Sequence, residues 1–248
     1  MRNSRPEIQD FVRRSSFIFR ATVMKLGASS VTNLPPRKNL SVVRIAKPIR
    51  TDPALGDLHG KLVTVELLNP GELKPKQAAI FFALGWIQGG GIAVREVAHL
   101  NARQEDDVEA EVARLPERHL ADRLADAVLV VVAEVTDVQP TPFDIRSRNA
   151  PQWAAATLKT TEVLHGQPRH HATVLFPTSK RPTWVQSPRL AEKQRAIFLL
   201  HRPPDGTLFP EPIPTLPSEL FTVLDEADVQ PLSKRPLVKR LLSQESGV

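Results

Sequence analysis

Cysteine is absent from the 248 residues. Without it there is no disulfide framework, no thiolate nucleophile and no Cys-containing zinc site, and several enzyme classes fall away together. The same absence suits a secreted bacterial protein as well as a cytoplasmic one. No apolar run approaches the ~18 residues that a bilayer span needs, so no membrane helix is expected. The first residues, MRNSRPEIQDFVRRSS, are basic but hold no continuous apolar core ahead of a small-residue cleavage site. They do not read as a secretory signal, and the expected compartment is the cytoplasm. Tyrosine is also missing, and aromatics make up only 5% of the chain.

The 41% apolar and 24% charged residues are ordinary for a soluble globular protein. The net charge of +6 is unevenly spread. Residues 1–50 hold 11 Lys/Arg against 2 acids, a net of +9, and residues 101–150 hold 6 against 11, a net of −5. Residues 151–200 return to +5, so positive charge recurs early in each half. A basic surface of this kind attracts nucleic acid, an anionic surface or an acidic protein.

The chain also repeats itself. KPKQAAIFFALGW begins at Lys74 and EKQRAIFLLHR at Glu192, and both contain Lys-Gln-x-Ala-Ile-Phe, 117 positions apart. Aligning the halves on this string brings other features into step. Each half opens on Pro-Glu, which suits a first helical turn. Ile8, Phe11 and Val12 then fall on one helical face, as do Leu120 and Leu124. Strands follow, with Phe17, Phe19, Ala21 and Val23 matching Leu129, Val131, Ala133 and Val135 on an inward face. The matched alanine suits the limited room inside a small curved sheet. NLSVVRIAK and WAAATLKTTEVL predict second strands, KLVTVELL and HATVLF third, the repeated string fourth, and GIAVREVAHL and ELFTVL fifth.

The expected fold class is therefore mainly β: two tandem OB-like five-stranded barrels, each preceded by a short helix. The expected divisions are 1–100 for the first barrel, 101–125 for a helical connector, 126–230 for the second barrel, and 231–248 for a C-terminal helix and tail. Val108, Val112 and Leu115 mark the connector as helical, with Pro116 breaking or restarting it. Six prolines between Pro203 and Pro217 predict an extended surface loop.

LADAVLVVVAEVTDV, TEVLHG and RAIFLLH in the second half resemble the netrin-type module shared with tissue inhibitors of metalloproteinases. The matching positions are Ala125 and Asp126, then Val163, Leu164 and Gly166, then Ile197, Phe198 and Leu199, within residues 120–200. The resemblance implies an OB-like barrel. Its inhibitors act through an N-terminal cysteine that this chain lacks, so protease inhibition does not carry over. The first half departs further, with IAKPIR where the V-L-x-G turn would stand.

Several strings invite a catalytic reading. Asp225-Glu226-Ala227-Asp228 spells a helicase magnesium box, but no phosphate-cradling loop with Lys-Ser/Thr accompanies it, and the expectation is a solvated acidic turn after a strand. GWIQGGGIAV lacks the G-x-G-x-x-G spacing and reads as a turn between strands. His170 and His171 are adjacent, so in a strand they point to opposite faces and would not chelate one ion together without a third ligand brought by folding; the expectation is a solvated loop after LHGQPR. A Ser-His-Asp triad needs no proximity in sequence, although no G-x-S-x-G elbow is present.

No cofactor or metal is implied. The candidate binding residues are Arg20, Lys25, Arg37, Lys38, Arg44, Lys47 and Arg50. The reading that follows is a non-enzymatic interaction module, with an acidic protein as the expected partner. The alternative is a single-stranded nucleic-acid binder, which needs exposed aromatic platforms beside a cationic groove. Phe17, Phe19, Phe81 and Phe198 are expected in the core, which leaves Trp86, Trp153 and Trp184 as the other large candidates.

Overall fold

The computed structural model describes residues 4–88, 91–141, 152–178, 187–203 and 220–245. Its contacts divide the chain into two compact units, Met1–Pro116 and Glu117–Val248. Among the described residues the fold is mainly β, one unit a closed barrel and the other a curved half-barrel sheet, with a few helices.

The first unit opens with α1 (Arg5–Arg14), whose start is capped by the Ser4 amide donating to Glu7 Oε2 at 2.7 Å. The strands β1 (Phe17–Leu26), β2 (Leu40–Arg50), β3 (Leu62–Glu66), β4 (Ala78–Gln88) and β5 (Gly91–Asn101) close in the order β1-β2-β3-β5-β4, with β4 returning to β1. Only β3 and β5 run parallel. The inward face follows the period of two: Phe17, Phe19, Ala21 and Val23 share a core with Ile45, Val65, Phe81 and Val94. Ala21 sits opposite Ala79, beside the stacked pair Phe19 and Phe81. Small against small lets the neighbouring rings fill the barrel. The opposite face of β1 and β4, Ile18, Ile80 and Phe82, is buried under α1 and α2 (Glu105–Ala113) with Ile8, Val12 and Val108.

The second unit follows α3 (Leu115–Ala125), which restarts the helix at Pro116 as the connector pattern expects. Its strands are β6 (Leu129–Pro140), β7 (Trp153–His165), β8 (His171–Pro177), β9 (Arg195–Leu200), β10 (Leu220–Thr222) and β11 (Val229–Gln230), and α4 (Arg235–Glu245) completes it. They form a six-stranded sheet in the order β10-β8-β7-β6-β9-β11. Leu129, Val131, Ala133 and Val135 face one core with Phe176, Phe198 and Phe221. Ile197 and Leu199 face the other, under Leu120 and Leu124 of α3 and Val238 and Leu241 of α4. The helical connector is thus divided, with α2 contributing to the first unit's core and Leu120 and Leu124 to the second. Most of the proline-rich stretch lies outside the described residues.

The repeated string has one structural meaning in both units. Ala21 pairs with Ala79 and Phe19 with Phe81; Ala133 pairs with Ala196 and Val131 with Phe198. The register is the same after the offset of 117 on the fourth strands. The Lys-Gln entrance is the same turn twice. Gln77 N donates to Lys74 O, and Gln194 N to Ala191 O, both at 3.1 Å. The glutamine side chain accepts from the amide that starts the turn, Lys74 N at 3.0 Å and Ala191 N at 3.1 Å. Lys76 and Lys193, at φ of 67° and 65°, are the non-glycine residues with positive φ among those described. Each donates its amide to the first strand of its unit, at Val23 O and Val135 O.

The units differ in how the sheet ends. In β5, Arg95 pairs with both Glu66 and Leu84, and four residues later His99 pairs with Phe81, all in one unbroken strand. In the second unit Thr222 takes the place of Arg95, pairing with Leu175 of β8 and bridging His201. Val229, opposite Phe198, takes the place of His99, but seven residues on. The extra length holds a short 3-10 turn, Glu226–Asp228, that splits the closing strand in two. The five-stranded barrel expected for the second half is instead a six-stranded half-barrel sheet whose ends meet at one isolated bridge, because backbone committed to that turn cannot continue the ladder.

Candidate functional site

The seven basic residues separate by what they touch. Arg20 of β1 and Lys47 of β2 are direct cross-strand partners on the outside of the barrel, an arrangement that like charges disfavour. The first turn of α2 relieves it. Glu105 accepts from Arg20 Nη1 at 2.7 Å and lies 2.9 Å from Lys47 Nζ, and Glu109 also reaches Lys47. These contacts hold the Glu105 carboxyl below its ordinary range and the Lys47 amine above its own. Arg50 is engaged elsewhere, where its Nη1 donates to Val12 O at 3.1 Å and Ser15 O at 2.8 Å and ties down the C-terminal carbonyls of α1.

Lys25, Arg37, Lys38 and Arg44 are exposed and form no ion pair among the described residues. Arg44 projects from β2 between the buried Val43 and Ile45, with Thr22 of β1 on one side and Leu62 of β3 on the other. Leu62 is 45% exposed, and so is Met24, which stands at the β1 bulge between Val23 and Lys25. Arg37 and Lys38 project from the β1–β2 loop. That loop is seated rather than loose: Ser30 N donates to Thr64 Oγ1 of β3 at 2.8 Å, and the Ser30 hydroxyl lies 2.9 Å from the same atom. Val31 is buried against Gly91, where a Cβ would come within 2.8 Å of its side chain.

No aromatic is found among the exposed large apolar side chains of the described residues, which are Met24, Leu62, Leu68, Leu84 and Leu232. Trp153 is buried, as are Phe17, Phe19, Phe81 and Phe198. Trp184 and the side chain of Trp86 lie outside what is described.

Each unit also holds a buried carboxylate beside a histidine, and neither is legible as such in the sequence. In the first, Glu96 Oε2 accepts from Leu68 N at 2.7 Å and its Oε1 lies 2.5 Å from His99 Nδ1. Glu72 flanks the other side of the ring at 3.8 Å. The bond from Glu96, outweighing burial, raises the His99 pKa above 6.5. In the second, Asp228 is wholly buried, so the acidic turn expected to be solvated is solvated at Glu226 and partly at Asp225 but not at its last residue. Its Oδ1 accepts from Arg123 Nε at 2.7 Å and lies 3.0 Å from His201 Nε2. Its Oδ2 accepts from Arg123 Nη2 and from the amides of Leu224 and Asp225, each at 2.9 Å. Burial would raise the Asp228 pKa, but the bonds from His201, Arg123 and the Asp225 amide together bring it down to about 2.

His201 engages oxygen at both ring nitrogens, with Asp126 O 3.2 Å from Nδ1. It therefore has no nitrogen turned toward the buried Thr222 hydroxyl at the adjoining bridge, and the trio is not arranged as a nucleophile and its base. Asp228 instead clasps α3 to the end of β9 and to its own turn. His170 and His171 are exposed and carry no such network. Among the described residues no group of three or more His, Cys, Asp or Glu could hold a metal ion, and no helix is long and apolar enough to cross a membrane.

Comparison with known proteins finds no family model that matches the chain and no curated protein that does.

Proposed function

We propose that the protein is a non-enzymatic binding module, two OB-like units in tandem, that engages an acidic partner protein through the basic outer face of its first unit. The observation that carries this reading is the surface around Arg44, where cations with no ion pair among the described residues stand beside exposed Met24 and Leu62. Aliphatic contact with flanking cations suits a protein surface; nucleic acid would ask for aromatic faces. The OB-like assignment is supported in the first unit by the β1-β2-β3-β5-β4 order, and in the second by the shared registers. The netrin-type reading of the second unit rests on its sequence resemblance, in which Gly166 ends the V-L-x-G turn; here that glycine has φ of +90° and a Cβ would lie 2.5 Å from Val128 O, so the turn itself requires it.

The test is affinity capture from native cell extract, with and without nuclease, using the full chain and a variant with Lys25, Arg37, Lys38 and Arg44 all changed to alanine. A partner that survives nuclease, weakens with salt and is lost by the variant is the expected result. A partner held equally well by the variant would refute the basic-face reading. The single-strand nucleic-acid reading is favoured by one observation, the cationic β1–β2 loop on a barrel of this strand order. A labelled oligonucleotide bound at micromolar affinity or tighter, with steep salt dependence, would install it instead.

A further inference from the structure

We infer that the open outer face around Arg44 receives an acidic amphipathic helix from the partner, docked much as the chain's own α2 docks on the adjoining part of the same barrel. The inference rests on the proposed protein-binding function and names the chemistry of what is bound.

The first unit already contains a worked case. In α2, Glu105 and Glu109 are four residues apart and meet Lys47, with Arg20 sharing Glu105. Val108 and Val112 lie between and beyond them on the buried side, Val108 fully enclosed with Ile18 and Phe82. Carboxylates at i and i+4 with aliphatics at i+3 and i+7 thus satisfy a strand face that presents cations next to apolar surface. The face around Arg44 has the same two components; the β1–β2 loop covers it at Thr64, and among the described residues no helix covers Met24, Arg44 and Leu62. Leu62 and Thr22 flank Arg44 across the ladder, Met24 lies farther along β1, and Lys25 stands at its rim. Directly opposed strand residues are about 5 Å apart, close to the ~6 Å between helical positions i and i+4.

The alternatives fit this place less well. Residues 41–44 of β2 are paired on both sides, to β1 and to β3, so no backbone edge is open there for an added strand. Recognition must run through side chains alone, and a helix offers only side chains. Nucleotide bases would need a ring to stack on, and the exposed apolar residues of this face are Met24 and Leu62.

The probe is a synthetic helix of about 16 residues, near 24 Å long, with glutamates at i, i+4 and i+8 and leucines at i+3, i+7 and i+11. Its control is a peptide of the same composition with the pattern scrambled around the helix. Fluorescence anisotropy with the full chain should show binding of the patterned peptide only. Arg44→Glu and Leu62→Asp should each weaken it about tenfold, equivalent to about 1.4 kcal/mol. Both residues are exposed, and matching thermal melts of the variants show that folding is intact. Equal binding of the two peptides, no binding of either, or indifference to both substitutions would overturn the inference. Adding the patterned peptide to the extract capture separates the two readings. A partner lost by the four-alanine variant but not displaced by the peptide sinks the helix and leaves the protein-binding function standing. Loss of the partner on nuclease treatment sinks that function itself.

Discussion

The two units share a turn, a strand register and an inward alanine pair, yet the first closes its sheet with the 11 residues of β5 and the second with one bridge. At that bridge two backbone hydrogen bonds join His201 and Thr222. What the backbone ladder does in the first unit, Asp228 does with side chains in the second, holding α3, the end of β9 and the inserted turn at one buried carboxylate. A ladder spreads closure over many weak contacts, each replaceable by its neighbours. A clasp concentrates closure at one residue.

That contrast predicts its own largest break. Asp228→Ala takes the shared acceptor from the half-buried Arg123 guanidinium and from His201 Nε2, and removal of one partner from such a network costs about 3 to 5 kcal/mol. Urea unfolding followed by hydrogen exchange should show protection lost in β9 to β11 and α3 and kept in β1 to β5. Equal loss in both units would mean that Asp228 does not act as a local closure. Gly166→Ala comes next. The added methyl would press on the backbone at Val128 and Leu129, which cannot move aside as a side chain could, and the φ of +90° is itself unfavourable for alanine. A cost toward the upper end of roughly 1 to 3 kcal/mol is expected in the second unit. A melt unchanged by the substitution would show that the turn after β7 has slack.

Acid and base should separate the units as well. Asp228 has its pKa lowered from 3.8 to about 2, so its contribution, on the order of 2 kcal/mol, is complete above the ordinary carboxylate value and is lost as pH falls through 2. His99 has its pKa raised above 6.5, so the contribution of its contact with Glu96 is complete below that value and is lost as pH rises through the folded one. Acid therefore removes the Asp228 contribution from the second unit and mild alkali the His99 contribution from the first, while Glu105, also held low, gives the first unit an acid limb of its own. Glu96→Gln, which keeps a hydrogen-bonding oxygen but not the charge, should flatten the alkaline limb alone. Stability against pH, read by urea midpoints of the Glu96→Gln and Asp228→Asn variants, checks both slopes.

These differences also mark the limit of what can be read from residue order. The strands and their inward faces are legible because period-two alternation is local, and the division of the helices at Pro116 is legible because proline acts locally. The second unit's open sheet is not, since ELFTVL looks like any closing strand and nothing in it reports that Asp228 will bend the chain away. Asp-Glu-Ala-Asp reads as solvated because a lone acid is rarely buried. What permits its burial is Arg123, 105 residues earlier, and His201, 27 residues earlier. The basic face is legible as charge but not as availability. Arg20 and Lys47 are met by a helix whose first glutamate lies 85 residues beyond Arg20, and Arg50 serves α1.

The smallest expected effect tests the likeness rather than the difference. Gln77→Ala and Gln194→Ala each remove the side-chain oxygen that accepts the amide opening the turn, Lys74 N in one unit and Ala191 N in the other. Both amides belong to exposed residues, so water replaces the lost acceptor and only the net value of one hydrogen bond is at stake, about 1 kcal/mol. Because the bonds, the left-handed lysine and the amide to the first strand match in the two copies, the two costs should agree within a few tenths of a kcal/mol. Gln→Glu at either site keeps an acceptor and should recover most of the loss. Equal costs with equal rescue would show that the repeated Lys-Gln is kept for the turn it makes. A cost confined to one unit would mean that the other glutamine is held by something besides the turn, and the equivalence of the two fourth strands would then rest on their register alone.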